Sequence, residues 1–75
     1  MDNFTKLQEI IALTFGVPAG EITQTTTRDD VPAWDSVGHL NLMLALEDAF
    51  GLTLDIEDMA RLTAVPAILE YLAQA

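Results

Sequence analysis

The sequence predicts an all-α domain, a small four-helix bundle of three main helices and one short one, with a long first loop. Three observations carry this expectation. Apolar residues recur at helical spacing in separate stretches rather than alternating as they would in strands. Between those stretches stand Gly16, Pro18, Gly20, Pro32 and Gly51, which punctuate the chain. The chain has 75 residues, 51% of them hydrophobic, and no Cys, so helix packing must supply the stability that disulfides give other small domains. One domain, residues 1–75, accounts for the whole length.

The first helix is expected to be capped by Asn3. Phe4, Leu7, Ile11 and Phe15 form its apolar stripe, with Ile10 alongside. Gly16 followed by Pro18 stops it. Its polar side, Thr5, Lys6, Gln8 and Glu9, shows no chemistry. Residues 17–35 form a long connection anchored on the core by Val17, Ile22, Val31 and Trp34, with a short turn at Pro18 to Ile22. Thr23 to Thr27 is β-prone but has no partner strand.

The central helix runs from Ser36 to Phe50 and ends at Gly51. Ser36 is read as its N-cap, and Asp35 stands where the helix dipole favours a negative charge. His39, Leu42, Met43, Leu46 and Phe50 share one stripe, while Val37, Leu40 and Leu44 fall on the other side. Two readings of that second stripe stand: a face that meets a partner, or a central helix packed all round. Leu52 and Leu54 point inward. Asp55 caps a short helix, with Asp58 as its capping-box acid and Ile56, Met59 and Leu62 as its buried side. Thr63 caps the last helix, Pro66 lies in its first turn, and Ile68, Leu69 and Leu72 are core. Tyr71 keeps its hydroxyl at the surface, and Ala73 to Ala75 fray.

Charge narrows the function. Three basic residues against twelve acidic ones give a net charge of −9. That argues against nucleic acid and anionic membrane surfaces, and is read either as plain solubility, the commoner cause of an acidic surface, or as a match for a partner with a basic surface. Between Asp29 and Ala60 there are eight acidic residues and no Lys or Arg. No apolar run approaches the roughly 20 residues of a membrane span. Met1-Asp2-Asn3 lacks the basic flank of a signal peptide, so the chain is expected in the cytoplasm, as a monomer without membrane insertion. Catalytic arrangements are missing. His39 is the sole imidazole and has no orienting third group, Glu47 and Asp48 point apart, and Val31 and Ala33 spoil any calcium loop around Asp29, Asp30 and Asp35. The expectation is no enzymatic activity and no metal site.

Asp35-Ser36-Val37 resembles the Asp-Ser-Leu signature of the acyl carrier proteins, and Leu42 to Gly51 resembles that family's second helix. The resemblance continues into Thr63-Ala64-Val65 and into Ile68, Tyr71 and Leu72. It implies an acyl-carrier-protein-like bundle in which Ser36 bears a covalent 4′-phosphopantetheine, whose thiol carries acyl groups as thioesters. It also implies a phosphopantetheinyl transferase as partner, with acyltransferases, ligases or synthases that dock through basic surfaces. For Asp35 it implies a role in transferase recognition. Trp34, Val37, Leu40, Leu44, Glu47, Asp48, Glu57 and Asp58 then become the recognition surface. Leu46, Leu54, Met59, Leu62 and Ile68 become the lining for a folded-back acyl chain.

This sequence departs from the family's pattern at Val37, where Leu is usual, and at Gly38 and Asn41, where acids are frequent. The departures point to polyketide or other specialised biosynthesis rather than bulk fatty acid synthesis. An aminoacyl or peptidyl carrier stands as the alternative, although the Trp-Asp-Ser-Val context is not that class's Gly-Gly-x-Ser. A non-carrier acidic helical adaptor, gripping a partner helix through Val37, Leu40 and Leu44, is the alternative of a different kind. A free-standing protein is expected, with an excised domain of a larger synthase as the other reading.

Overall fold

The computed structural model describes residues 2–74. Its four α-helices are α1 (Asn3–Phe15), α2 (Ser36–Phe50), α3 (Ile56–Arg61) and α4 (Val65–Gln74). Two single 3-10 turns, Ala19–Glu21 and Arg28–Asp30, interrupt the connection between α1 and α2. Among the described residues there is no strand, only one antiparallel bridge between Thr27 and Ala64. No helix among them is long and apolar enough to cross a membrane. The expected all-α, four-helix architecture with a long first loop is therefore what the chain forms.

α1 starts one residue earlier than expected. Asp2, not Asn3, is the N-cap, its carboxylate accepting from Thr5 N at 2.8 Å. An extended residue ahead of the first turn is better placed to reach a free amide than a residue already in the helix. Gly16 ends α1 at φ 67°, in the left-handed region that glycine enters without strain. Leu7 and Ile11 are fully buried, with Phe4, Ile10 and Phe15 packed beside them.

Polar residues of α1 hold the fold together. Lys6 Nζ donates to Ala49 O at 2.7 Å and lies 4.6 Å from the Phe50 ring centroid. A cation thus sits on the carbonyl end of α2, where the helix dipole favours it. Gln8 Nε2 donates to Ala19 O and Ile22 O, both at 2.8 Å, and pins the first 3-10 turn.

The long connection is packed down rather than loose. Ile22, Val31 and Trp34 are buried as expected, and Val17 packs at their edge. Thr26 is buried too, its hydroxyl accepting from Thr23 N at 2.8 Å. Thr27 and Asp30 form a capping box on the second turn. Arg28 N donates to Thr63 O at 3.0 Å and Val65 N donates to Thr26 O at 2.8 Å, which ties the connection to the approach of α4. The end of the β-prone stretch thus makes one bridge, Thr27 with Ala64, without making a strand.

Both α3 and α4 depart from expectation in detail. Asp55 and Asp58 do form the capping box of α3. Ile56, expected on its buried side, is 84% exposed. A two-turn helix has room to bury only one edge, and here Leu62 at its C-terminal end, with Met59 half-buried, takes that edge. α4 begins at Val65, so Thr63 is not its cap; the Thr63 carbonyl is already bonded to Arg28. Pro66 lies in the first turn and Ile68 is fully buried. Ala73 and Gln74 remain helical, and Ala75, like Met1, lies outside the described residues.

Candidate functional site

The head of α2 is built by the segment that precedes it. Asp35 is in extended backbone, and its carboxylate accepts from Gly38 N at 2.8 Å. Asp35, not Ser36, is therefore the N-cap, and Ser36 is the first helical residue. The correction changes the chemistry. The acid that would repel a phosphate is committed to the helix, and the Ser36 hydroxyl is left exposed and unused by capping.

Gly38 explains the depth at which this turn sits. It is buried, and a Cβ there would collide with the Ala33 carbonyl oxygen and lie 2.8 Å from Phe15 Cε1. A larger side chain does not fit, which is a packing reason for the missing acid at this position.

Trp34 is 2% exposed, so its expected part in direct partner contact is corrected. Its ring stacks on Phe15 with centroids 5.5 Å apart. Burying a ring this size contributes about 1.5–3 kcal/mol. Its Nε1–H donates to His39 Nδ1 at 2.9 Å, and His39 Nε2 lies 2.6 Å from Met59 O. An indole N–H only donates and a carbonyl only accepts, so His39 is the neutral tautomer with its proton on Nε2. The imidazole is a strut between the connection, α2 and α3, as a packing histidine would be.

The second stripe of α2 faces outward and is not packed all round. Val37 is 70% exposed, Leu40 52% and Leu44 53%, whereas Leu42, Met43 and Leu46 are buried. Around it, Asp48 and Glu57 are exposed. Glu47 is half-buried, and its carboxylate accepts from Leu54 N at 2.7 Å. Asp58 is bonded to Arg61 at 2.7 Å, to Asp55 N and to the Tyr71 hydroxyl. Free charge at the rim comes from Asp48 and Glu57 more than from Glu47 and Asp58. Burial works against the Asp58 carboxylate, but its bonds to Arg61 and Asp55 outweigh it and lower its pKa. Burial, followed by the Asp58 charge, raises the Tyr71 hydroxyl.

Of the five residues expected to line an acyl chain, Leu46, Leu54, Leu62 and Ile68 belong to one buried core and Met59 packs against it. Leu54 and Met59 border an open hollow with Asp55, Ile56 and Glu57, and Leu62 borders a separate groove with Arg61, Ala67 and Tyr71.

Sequence reasoning missed Arg28. Its Nε donates to Trp34 O at 3.0 Å, and its Nη2 lies 3.5 Å from Ser36 Oγ. Arg28 stands eight residues before Ser36 in an irregular segment, so no periodicity pointed to it.

A family model described as the phosphopantetheine attachment site matches residues 5–72. The chain belongs to the phosphopantetheine-attachment family of acyl carrier proteins. It is 34% identical over 70 residues to an acyl carrier protein of Rubrobacter xylanophilus, covering 92% of this chain and 85% of that one. Its fold matches the solution structure of a holo acyl carrier protein from Geobacter metallireducens with a TM-score of 0.84. That likeness has 24% sequence identity and covers 99% of this chain and 85% of the other. The carrier role and the covalent 4′-phosphopantetheine expected from the sequence are those of this family, whose members carry groups for transferases and synthases rather than transforming them.

Proposed function

We propose that Ser36 is the attachment serine of this carrier, and that residues 1–75 act as a single carrier domain. The carrying observation is the exposed Ser36 hydroxyl in the first turn of α2, relieved of capping by Asp35. The residues present fit a phosphodiester there. First-turn amides and the helix dipole favour an anion, and a guanidinium stands beside the hydroxyl. A transferase would remove the serine proton as Oγ attacks the pyrophosphate of coenzyme A. The new bond is Oγ–P, the broken one is the pyrophosphate P–O, and adenosine 3′,5′-bisphosphate leaves. The arm, once bound, supplies the thiol that holds the acyl group. Around it this chain provides a fixed anchor and a docking face.

That face is Val37, Leu40 and Leu44, with Asp48 further along the same helix and exposed Ile56 and Glu57 on α3 as further contacts for a partner. It suits a partner with an apolar cleft bordered by Lys and Arg. Trp34 contributes by setting the approach to α2 from beneath. Leu54 and Met59, at the edge of their hollow, are the entry for a cargo chain that would continue toward Leu46, Leu62 and Ile68. We read the protein as a cytoplasmic monomer without catalytic activity of its own. Val37 after the serine and the absence of an acid at Asn41 favour a dedicated biosynthetic route over bulk fatty acid synthesis.

The test is the intact mass after incubation with coenzyme A, magnesium and a promiscuous phosphopantetheinyl transferase. Wild type should gain one phosphopantetheine and Ser36→Ala none, with unchanged helicity. Modification of the alanine variant would sink the assignment.

A further inference from the structure

We propose that Arg28 is the partner that holds the phosphodiester formed on Ser36. This rests on the reading of Ser36 as the attachment site. The guanidinium is positioned before any ligand arrives. The backbone of Arg28 is fixed by its bond to Thr63 O at 3.0 Å, and its Nε by the bond to Trp34 O at 3.0 Å. What remains of the fork points at Ser36, with Nη2 3.5 Å from Oγ. A contact that long adds little for a neutral hydroxyl. It suits a group that extends beyond Oγ and bears negative oxygens, because guanidinium and phosphate pair through charge-assisted bonds.

Charge accounting points the same way. Among the described residues the only ion pair is Arg61 with Asp58. Lys6 is spent on Ala49 O. Among the described residues Arg28 therefore has no carboxylate partner, although the chain carries a net charge of −9. The nearby acids are turned to other work: Asp30 bonds Thr27 N at 2.9 Å, and Asp35 bonds Gly38 N. Asp29 is exposed on the same 3-10 turn. A residue anchored at its backbone and at its Nε, with the rest of its guanidinium facing the exposed Ser36 hydroxyl, is a place for an anion. Arg28 would be a positioning residue: it fixes the root of the arm relative to α2 and offsets the repulsion from Asp35.

The experiment uses apo and holo forms of wild type, Arg28→Gln and Arg28→Lys. Mass spectrometry first establishes attachment in each. Absence of attachment in wild type overturns the Ser36 reading and this proposal with it. Given attachment, unfolding equilibria are compared at low and high salt. The Arg28–Trp34 bond is lost in apo and holo alike, so the apo comparison removes it. Modification should favour folding by about two- to five-fold more in wild type than in Arg28→Gln, as for an exposed charge pair. High salt should shrink the difference, and Arg28→Lys should fall between. If Arg28→Gln does not fold, wild type alone decides. On modification, the guanidinium resonances of Arg28 should shift while those of Arg61 stay. The phosphorus resonance should also respond to salt. Equal effects of modification in all variants, or unmoved Arg28 resonances in wild type, would refute the proposal.

Discussion

Replacing Gly38 by alanine sets two effects against each other. Alanine in a helix interior is favoured over glycine by about 1 kcal/mol, so propensity alone predicts a more stable protein. Packing predicts the reverse. The added Cβ would overlap the Ala33 carbonyl oxygen, a backbone atom, and press on Phe15 Cε1 at 2.8 Å. Relieving an overpacked site costs about 1–3 kcal/mol. Ala33 is two residues from the Asp35 cap, so moving it also strains a cap worth about 1 kcal/mol. The net is a loss of roughly 1–3 kcal/mol, or about 4–24 °C in Tm at the roughly 4–8 °C per kcal/mol of a domain this size. Gly20→Ala is the control, because nothing lies within 4 Å of a Cβ there. Thermal and urea unfolding followed by circular dichroism measures both. A Gly38→Ala protein as stable as wild type, or more so, would refute the packing argument.

Four further outcomes are expected. Asp35→Asn keeps a capping side chain and should change stability by less than about 0.5 kcal/mol, while Asp35→Ala should lose about 1 kcal/mol by denaturant titration. If Asp35 also guides the transferase, both variants should slow modification, and an unchanged rate in Asp35→Asn would leave it a cap alone. His39→Ala leaves the Trp34 N–H and the Met59 carbonyl without their partner, at a cost of roughly 1–3 kcal/mol and with an altered near-ultraviolet tryptophan signal. Asp58, held below its ordinary 3.8 in the folded state, contributes stability above that value which is lost as pH falls through the lower folded one. Acid unfolding of Asp58→Asn should accordingly show a shallower loss below about pH 4. Leu40→Glu together with Leu44→Glu should leave Tm nearly unchanged and weaken docking to a basic synthase, read as a higher KM for the loaded carrier.

The elements legible in the sequence were those whose causes are local. Gly16 and Gly51 terminate helices through their own backbone freedom, and the capping box of Asp55 and Asp58 lies within four residues. The core stripe of Leu42, Met43 and Leu46 follows from periodicity alone. Errors arose where distant chain decides. Ile56 has the composition of a buried residue, and only the short length of α3 and the placement of Leu62 turn it outward. Trp34 reads equally as a surface anchor or a core residue until Phe15 is seen beneath it. Whether Asp35 or Ser36 caps α2 depends on where the extended backbone ends, one residue either way. Ser36 stood out through its neighbours in sequence, but Arg28 did not, since the turn that presents it is fixed by contacts with Thr63 and Trp34.

The pinning of residues 17–35 has a consequence for how a carrier meets its enzymes. Gln8, Thr63 and Val65 fasten that segment to the bundle, and Trp34 closes it beneath α2. With Ser36 as the root of a flexible arm, the pedestal adds no slack of its own. The volume searched by the cargo is then set by the arm, and the local concentration seen by a docked active site falls steeply as tether length grows. Loosening the segment would lengthen the tether in effect and dilute the cargo at every station it visits, without touching the arm or the face that docks.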